Sequence, residues 1–210
     1  MADISQLWYT LHDNGSIKCL IGQGTLSTCI KYALGDVEHV SFEYVKLQTY
    51  DWIAQRQFLV GTSDVKFKQE IVAWLDQHQA HYFSLIGCSN VISAGTIIGH
   101  GTFINLYNDL MSDSIIGDHC IITTHCQFGH SVEIKNFSHI SSYCYLNNIV
   151  VGQGTVFGLR TTAAGTKHKK IPDYCNFLMN SIITNSYEHA GTYYSKKKIS
   201  NQNSLLNRIL

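Results

Sequence analysis

Of the eleven histidines in this chain, five fall within one central stretch: His100, His119, His125, His130 and His139. Imidazole has an ordinary pKa near about 6.5 and is well suited to take a proton from an amine or hydroxyl at neutral pH. Two of the five follow a glycine in the same local setting, Ile98-Gly99-His100 and Phe128-Gly129-His130. Near the start, Gly22-Gln23-Gly24 ends a short apolar run and opens a helical stretch. In that setting a glycine-rich loop can meet phosphate through backbone N–H groups. The run Lys167-His168-Lys169-Lys170, with Arg160 shortly before it, reads either as a cationic patch for phosphates or as a solvated basic loop. His12, His39, His78 and His81 have no evident partners. The seven cysteines include no Cys-x-x-Cys pair, so a zinc ribbon is not supported and no metal site is expected.

What must position these groups is legible in a strict period. From Ile92 to Leu146 an aliphatic or aromatic residue recurs at every sixth position: Ile92, Ile98, Ile104, Leu110, Ile116, Ile122, Phe128, Ile134, Ile140, Leu146. The beat resumes at Val151 and Phe157 after one slip, and at Ile171, Phe177 and Ile183 after an insertion. Neither a helix nor a strand alternation has period six. A parallel β-helix with three short flat sides per coil does. Four residues after most anchors sits a small side chain, among them Thr102, Ser114, Cys120, Cys126, Ser138, Cys144, Val150, Thr155 and Cys175, with Asn108 and Tyr187 as the breaks. One large and one small inward residue per side fill a narrow prism without voids. The cysteines in this series read as buried small hydrophobes. The third residue of a hexad lies at a corner and points away from the core, which exposes His100 and His130. Ala163–Lys170 interrupts the beat and is expected to loop out of the prism.

Residues 1–88 read differently. Strands are expected at Ile17–Ile21, His39–Val45, Phe58–Val60 and Tyr82–Ile86, and helices at Leu26–Leu34, Tyr50–Gln57 and Lys66–Gln77. Such alternation implies a small parallel sheet with covering helices. The organisation is then a Rossmann-like α/β domain at 1–88, a β-helix at 89–188 and a polar tail at 189–210. Net charge is zero, which points to neither nucleic acid nor a membrane surface. Charged residues are only 14% and apolar residues 45%, so some surface is expected to be covered by self-association. The start, MADISQLWYT, lacks a signal-peptide pattern, and no apolar run reaches the ~20 residues of a membrane span. A reducing cytoplasm fits best.

The segment FGHSVEIKNFSHISS, residues 128–142, resembles the catalytic stretch of the left-handed β-helix nucleotide-sugar N-acetyltransferases of the sialic-acid and bacillosamine type. The likeness extends upstream through FLVGTSDVKFKQEIVAWLDQHQAHYFSLIGCSNVIS and downstream to EHAGTYYSKKKI, about residues 17 to 199 in all. It implies a homotrimer with acetyl-CoA between adjacent prisms, no metal, and a Rossmann-like domain holding a nucleotide-linked amino sugar destined for surface polysaccharide or glycan. It implies His130 as catalytic base and His139 as an acetyl-CoA contact. Leu159 and Met179 fall where the family's backbone meets the pantetheine and adenine end, with Lys169 and Lys170 as candidate phosphate contacts. Gly22, Gln23 and Gly24, with Ser63 and Asp64, match the nucleotide-sugar loops, and Thr123 a substrate-contacting position. Ser131 stands where the family has Asp or Glu, and Thr123-Thr124 where it has Asn-Thr.

Acetyl transfer from a thioester needs a proton acceptor and an oxyanion donor but no covalent enzyme intermediate. O-acetylation or another acyl acceptor, a zinc-dependent carbonic-anhydrase-like trimer built on His125 and His130, and a non-catalytic scaffold are the competing readings.

Overall fold

The computed structural model describes residues 7–35, 37–164 and 168–199. The N-terminal unit contains β1 (Trp8–Leu11), β2 (Ile17–Ile21), α1 (Thr25–Leu34), β3 (Glu38–Val40), α2 (Phe42–Lys46), α3 (Tyr50–Ala54), β4 (Arg56–Val60), α4 (Val65–Gln77), β5 (His81–Tyr82) and β6 (Ser84–Gly87). β3, β2, β4 and β5 form one parallel sheet in that order. β2 and β4 are its most buried strands, and Cys19, Leu20, Ile21, Phe58 and Leu59 are fully covered. An Arg56–Glu38 pair, with both bonds at 2.7 Å, ties β4 to β3.

Four details differ from the sequence reading. The helix expected over 50–57 ends at Ala54, because Arg56 and Gln57 already pair with β2 as the start of β4. The strand expected over 39–45 stops at Val40, because Ser41 caps α2 by accepting the Tyr44 N–H at 3.2 Å. The strand expected over 82–86 breaks at Phe83. β5 stays with the α/β sheet, whereas β6 is the first rung of the prism, pairing in parallel with Phe103–Ile104. β1, not anticipated, adds antiparallel to the other edge of β6.

The remaining strands stack as three parallel faces. The first face runs from β6 through Phe103–Ile104, Ile121–Ile122, His139–Ile140, Val156–Phe157 and Cys175–Phe177 to Gly191–Tyr194, with Lys197–Ile199 added antiparallel. The second carries Val91–Ile92, Asp109–Leu110, Gln127–Phe128, Tyr145–Leu146, Thr162–Ala163 and Ile182–Ile183. The third carries Ile97–Ile98, Ile115–Ile116, Val132–Ile134, Ile149–Val151 and Lys169–Ile171. The six-residue anchors meet in one core; Ile86 extends the beat one step earlier, and Ala163 fills the beat after Phe157.

The small inward series also holds, with two adjustments. Cys120, Cys126, Cys144 and Cys175 are buried free thiols. Asn108 sits inside the prism with its side chain bonded to Asn105 O and Cys126 N, both at 2.8 Å, so the buried amide is satisfied. At the slip, Ile149 takes the register of Val132 and is fully buried. Val150, expected inside, lies opposite Glu133 and is only half-buried. The predicted loop is shorter than 163–170, since Ala163 ends one strand and Lys169 begins the next.

Corner residues repeatedly take left-handed conformations, including His119 (φ 57), His125 (φ 59), Ser131 (φ 52), Phe137 (φ 63) and Tyr143 (φ 61). Each costs roughly 1 kcal/mol for a non-glycine residue. Stacking between coils offsets this: His125 lies between Tyr107 and Tyr143 at 5.2 and 4.9 Å, and His119 against Phe137 at 5.1 Å. Among the described residues no helix is long and apolar enough to cross a membrane.

Candidate active site

His130 sits at the corner between the second and third faces, between Gln127–Phe128 and Val132–Ile134, and is exposed. Its carbonyl accepts the Asn148 N–H at 2.9 Å, which pins the backbone of this turn to the next coil. Gly129 just before it leaves room for Asn147, whose Oδ1 would lie 2.6 Å from a Cβ there and would have to shift. The imidazole lines a surface pocket of about 230 Å³ together with Asp109, Met111, Gln127, Tyr145 and Asn147. Asp109, Gln127 and Tyr145 are direct register partners in three consecutive coils. Sequence reading missed them. Their signal was available, since each immediately precedes a core anchor and they repeat every 18 residues, one full coil.

The structure gathers a second group at the corner between the first and second faces. Thr123, Leu159 and Met179 all lie there in different coils, and Asn180 N bonds Leu159 O at 2.8 Å. Leu159 and Met179 expose about the same share of their surface, 40% and 42%. Thr123 bonds Ser142 Oγ at 2.8 Å and Ile140 O at 3.3 Å, so its hydroxyl is engaged with the next coil.

His139 is elsewhere. It lies on the first face, between Ile121 and Val156, and does not line the His130 pocket. Burial, then the nearby charge of Lys68, pushes its imidazole down to about 4. Lys68 on α4 is 2% exposed, and its Nζ donates to His119 O at 3.2 Å. Burial pushes its ammonium down to about 7. His119, packed edge-on against Tyr82 at 4.6 Å, is likewise pushed down to about 4. These groups form the seam between α4 and the prism. His100 is a corner residue as expected, but it is stacked on His12 at 3.8 Å.

Lys169 and Lys170 were expected on a loop and instead belong to a strand of the third face. Lys169 takes the inward register of Ile149 and is 4% exposed, whereas Lys170 lies opposite Val150 and is exposed. Alternation along the strand is the reason. Lys167 lies outside the described residues.

In the α/β unit, Gly22-Gln23-Gly24 and Ser63-Asp64 follow β2 and β4, two adjacent parallel strands. The chain passes from β2 through α1 to β3 on one side and then to β4 on the other, which makes this the switch point of the sheet, where such folds bind ligands. Gly22 (φ 156) has no room for a side chain, as a Cβ would sit 2.9 Å from Gly61 O. Gly24 (φ 92) precedes α1, whose N-terminus has no side-chain cap. Asp64 caps α4, accepting the Phe67 N–H at 3.0 Å, and Ser63 is exposed.

No family model matches the chain, and no curated protein matches it. Solved structures do. The acetyltransferase domain of PglB from Neisseria gonorrhoeae FA1090, in complex with acetyl coenzyme A, aligns over 88% of this chain and 100% of its own, with TM-score 0.74 and 15% identity. WeeI from Acinetobacter baumannii AYE aligns over 84% and 95%, with TM-score 0.66 and 13% identity. A histidine-to-asparagine variant of perosamine N-acetyltransferase from Caulobacter crescentus, in complex with CoA and GDP-perosamine, aligns over 87% and 90%, with TM-score 0.61 and 16% identity. The chain thus has the fold of these proteins, an N-terminal α/β unit followed by a left-handed parallel β-helix.

Proposed function

We propose that this chain is an acyltransferase that moves an acetyl group from acetyl-CoA to the amine of a nucleotide-linked amino sugar, with His130 as general base. The observation that carries the reading is an exposed imidazole on the rim of a pocket of mixed polar and apolar lining at a prism corner. Neutral imidazole takes a proton from the acceptor nitrogen, the nitrogen attacks the thioester carbonyl, and the carbon–sulfur bond breaks to release the thiol. The loops at 22–24 and 63–64 suit the nucleotide end by their place at the switch point. Leu159 and Met179 offer an exposed apolar edge for the pantetheine chain, and Lys170 a cation for CoA phosphate. Thr123 serves the substrate side through its backbone carbonyl, since its hydroxyl and its N–H are already bonded to the next coil. Two of the similar structures hold acetyl coenzyme A, or CoA with GDP-perosamine, which supports the choice of substrates.

A homotrimer with sites between prisms belongs to the same reading. Val91, Ile97, Ile115 and Ile182 are large, apolar and exposed on the outer faces, surface that neighbouring copies would cover. A cytoplasmic place in surface-polysaccharide synthesis follows from such substrates.

The test is His130→Asn. It should fold and bind acetyl-CoA, yet lose a factor of about 10² to 10⁴ in turnover of nucleotide-linked amino sugars. Near-parental turnover would refute the role.

A further inference from the structure

Within the His130 pocket one group is unaccounted for by the transfer chemistry. Asp109 is the sole carboxylate among the lining residues, and it is half-buried. No hydrogen bond or ion pair involves its side chain among the described residues. The ion pairs that do occur sit far along the chain, at Lys18–Asp13, Lys46–Glu43 and Arg56–Glu38. A half-buried carboxylate gives up part of its hydration and ordinarily recovers it from a donor. Here the backbone around it is committed to the ladder: Asp109 N bonds Cys126 O at 2.9 Å, and the strand pairs on both sides, with Val91 and with Gln127. The carboxylate therefore faces outward on a rigid rung. Successive rungs are about 4.8 Å apart. Asp109, Gln127 and Tyr145 thus present a carboxylate, an amide and a phenol in line along the face that ends at His130.

We infer that Asp109 recognises the acceptor's ammonium group and delivers it to His130, making it a specificity-determining residue for an amine over a hydroxyl. The inference rests on the reading of His130 as the base for N-acetylation. An unreacted sugar amine carries a proton near neutral pH, and a carboxylate makes a charge-assisted bond to it that a hydroxyl cannot match. The sequence balances. One ammonium proton passes to His130, and the free amine attacks the thioester carbonyl. A carbon–nitrogen bond forms as the carbon–sulfur bond breaks. The second proton lost from nitrogen ends on the departing thiolate. The amide product is neutral, so Asp109 holds substrate better than product and favours release.

The experiment uses the full chain, with GDP-perosamine and the corresponding hydroxyl sugar nucleotide as probes. Steady-state kinetics with acetyl-CoA are compared for the parent and Asp109→Asn. The expected result is a KM for the amino sugar raised about 10- to 100-fold, with kcat within a few-fold and KM for acetyl-CoA unchanged. Affinity for the hydroxyl probe, by calorimetry, should not change. The parental KM should also climb as pH rises above the amine's own pKa and the ammonium is lost, whereas the variant's should stay flat. Asp109→Ser serves as the second variant should the first fail to fold. An amino-sugar KM equal to the parent's, or a loss confined to kcat, overturns the inference and leaves His130 as base untouched. Absence of turnover by the parent on GDP-perosamine and on UDP-linked amino sugars, with no acetyl-CoA binding, sinks the underlying reading and this inference with it.

Discussion

Lys68 reaches from α4 across to the prism and donates from Nζ to the carbonyl of His119 at 3.2 Å, with 2% of its surface exposed. Its ammonium, pushed down to about 7 by burial, lies below the ordinary 10.5. Between those values the unfolded chain holds more protons at this lysine than the folded one, so its contribution to stability rises with pH. The urea midpoint of the parent should therefore increase from pH 7 to about 8.5, above which the buried thiols of Cys19 and Cys120, pushed up to about 12 by burial, act in the opposite direction. In Lys68→Met the increase should be lost. An identical pH slope in the variant would show that Lys68 is hydrated in solution.

The opposite side of neutrality tests the same seam. His119 and His139 are pushed down to about 4 from 6.5, chiefly by burial. The unfolded state takes up their protons first, so stability present above pH 6.5 is lost as pH falls from 6.5 to 4. The carboxylates of Glu38 and Asp13, held below their usual values, lose their contribution only at lower pH. Melting temperature should therefore fall between pH 6.5 and 4.5. His119→Phe should flatten part of that fall, and it also removes a buried Nδ1 that has no hydrogen-bond partner. His139→Asn should lower the melting temperature and leave the KM for acetyl-CoA within a few-fold of the parent's. A raised KM with an unchanged melting temperature would instead support His139 as the acetyl-CoA contact that the resemblance implies.

The two lysines of Lys169–Ile171 should behave oppositely, because strand alternation sends one in and one out. Lys170→Ala should raise the KM for acetyl-CoA several-fold with no change in melting temperature. Lys169→Ala should lower the melting temperature by roughly what 1–3 kcal/mol implies, since it empties a buried position. Equal effects of the two changes on KM would contradict this assignment.

Self-association is tested at Ile97 and Ile115, direct register partners on the third face, 59% and 42% exposed. Sedimentation of the parent should give three chains per particle at micromolar concentration. Ile115→Glu, placing a charge in a covered interface, should yield monomers that melt earlier and turn over slowly. A parental monomer would exclude sites shared between chains.

Much of this architecture was legible because a β-helix repeats its inward requirement once per side. Ile104, Ile122 and Ile140 each had to be apolar for the same local reason, so the period appears without knowledge of distant contacts. His130 could be placed at a corner by counting along its hexad. The α1 and α4 helices were legible from their own apolar spacing. Other features depended on partners far away in the chain. Phe83 divides one apparent strand between two sheets, buried in one apolar cluster with Leu20 and Ile30 of the α/β unit and Phe103 and Ile121 of the prism. Lys68 became a buried seam residue, and His139 its neighbour, only when α4 lay along the prism. Asp109, Gln127 and Tyr145 came together because a coil closes every 18 residues; that spacing can be counted in the sequence, but it does not single these three out from the other outward residues. The amino-acid order determined which side chains face inward, since that demand is local and periodic. Only the tertiary structure decided which outward side chains share a pocket, since that depends on how coils stack and on what docks against them.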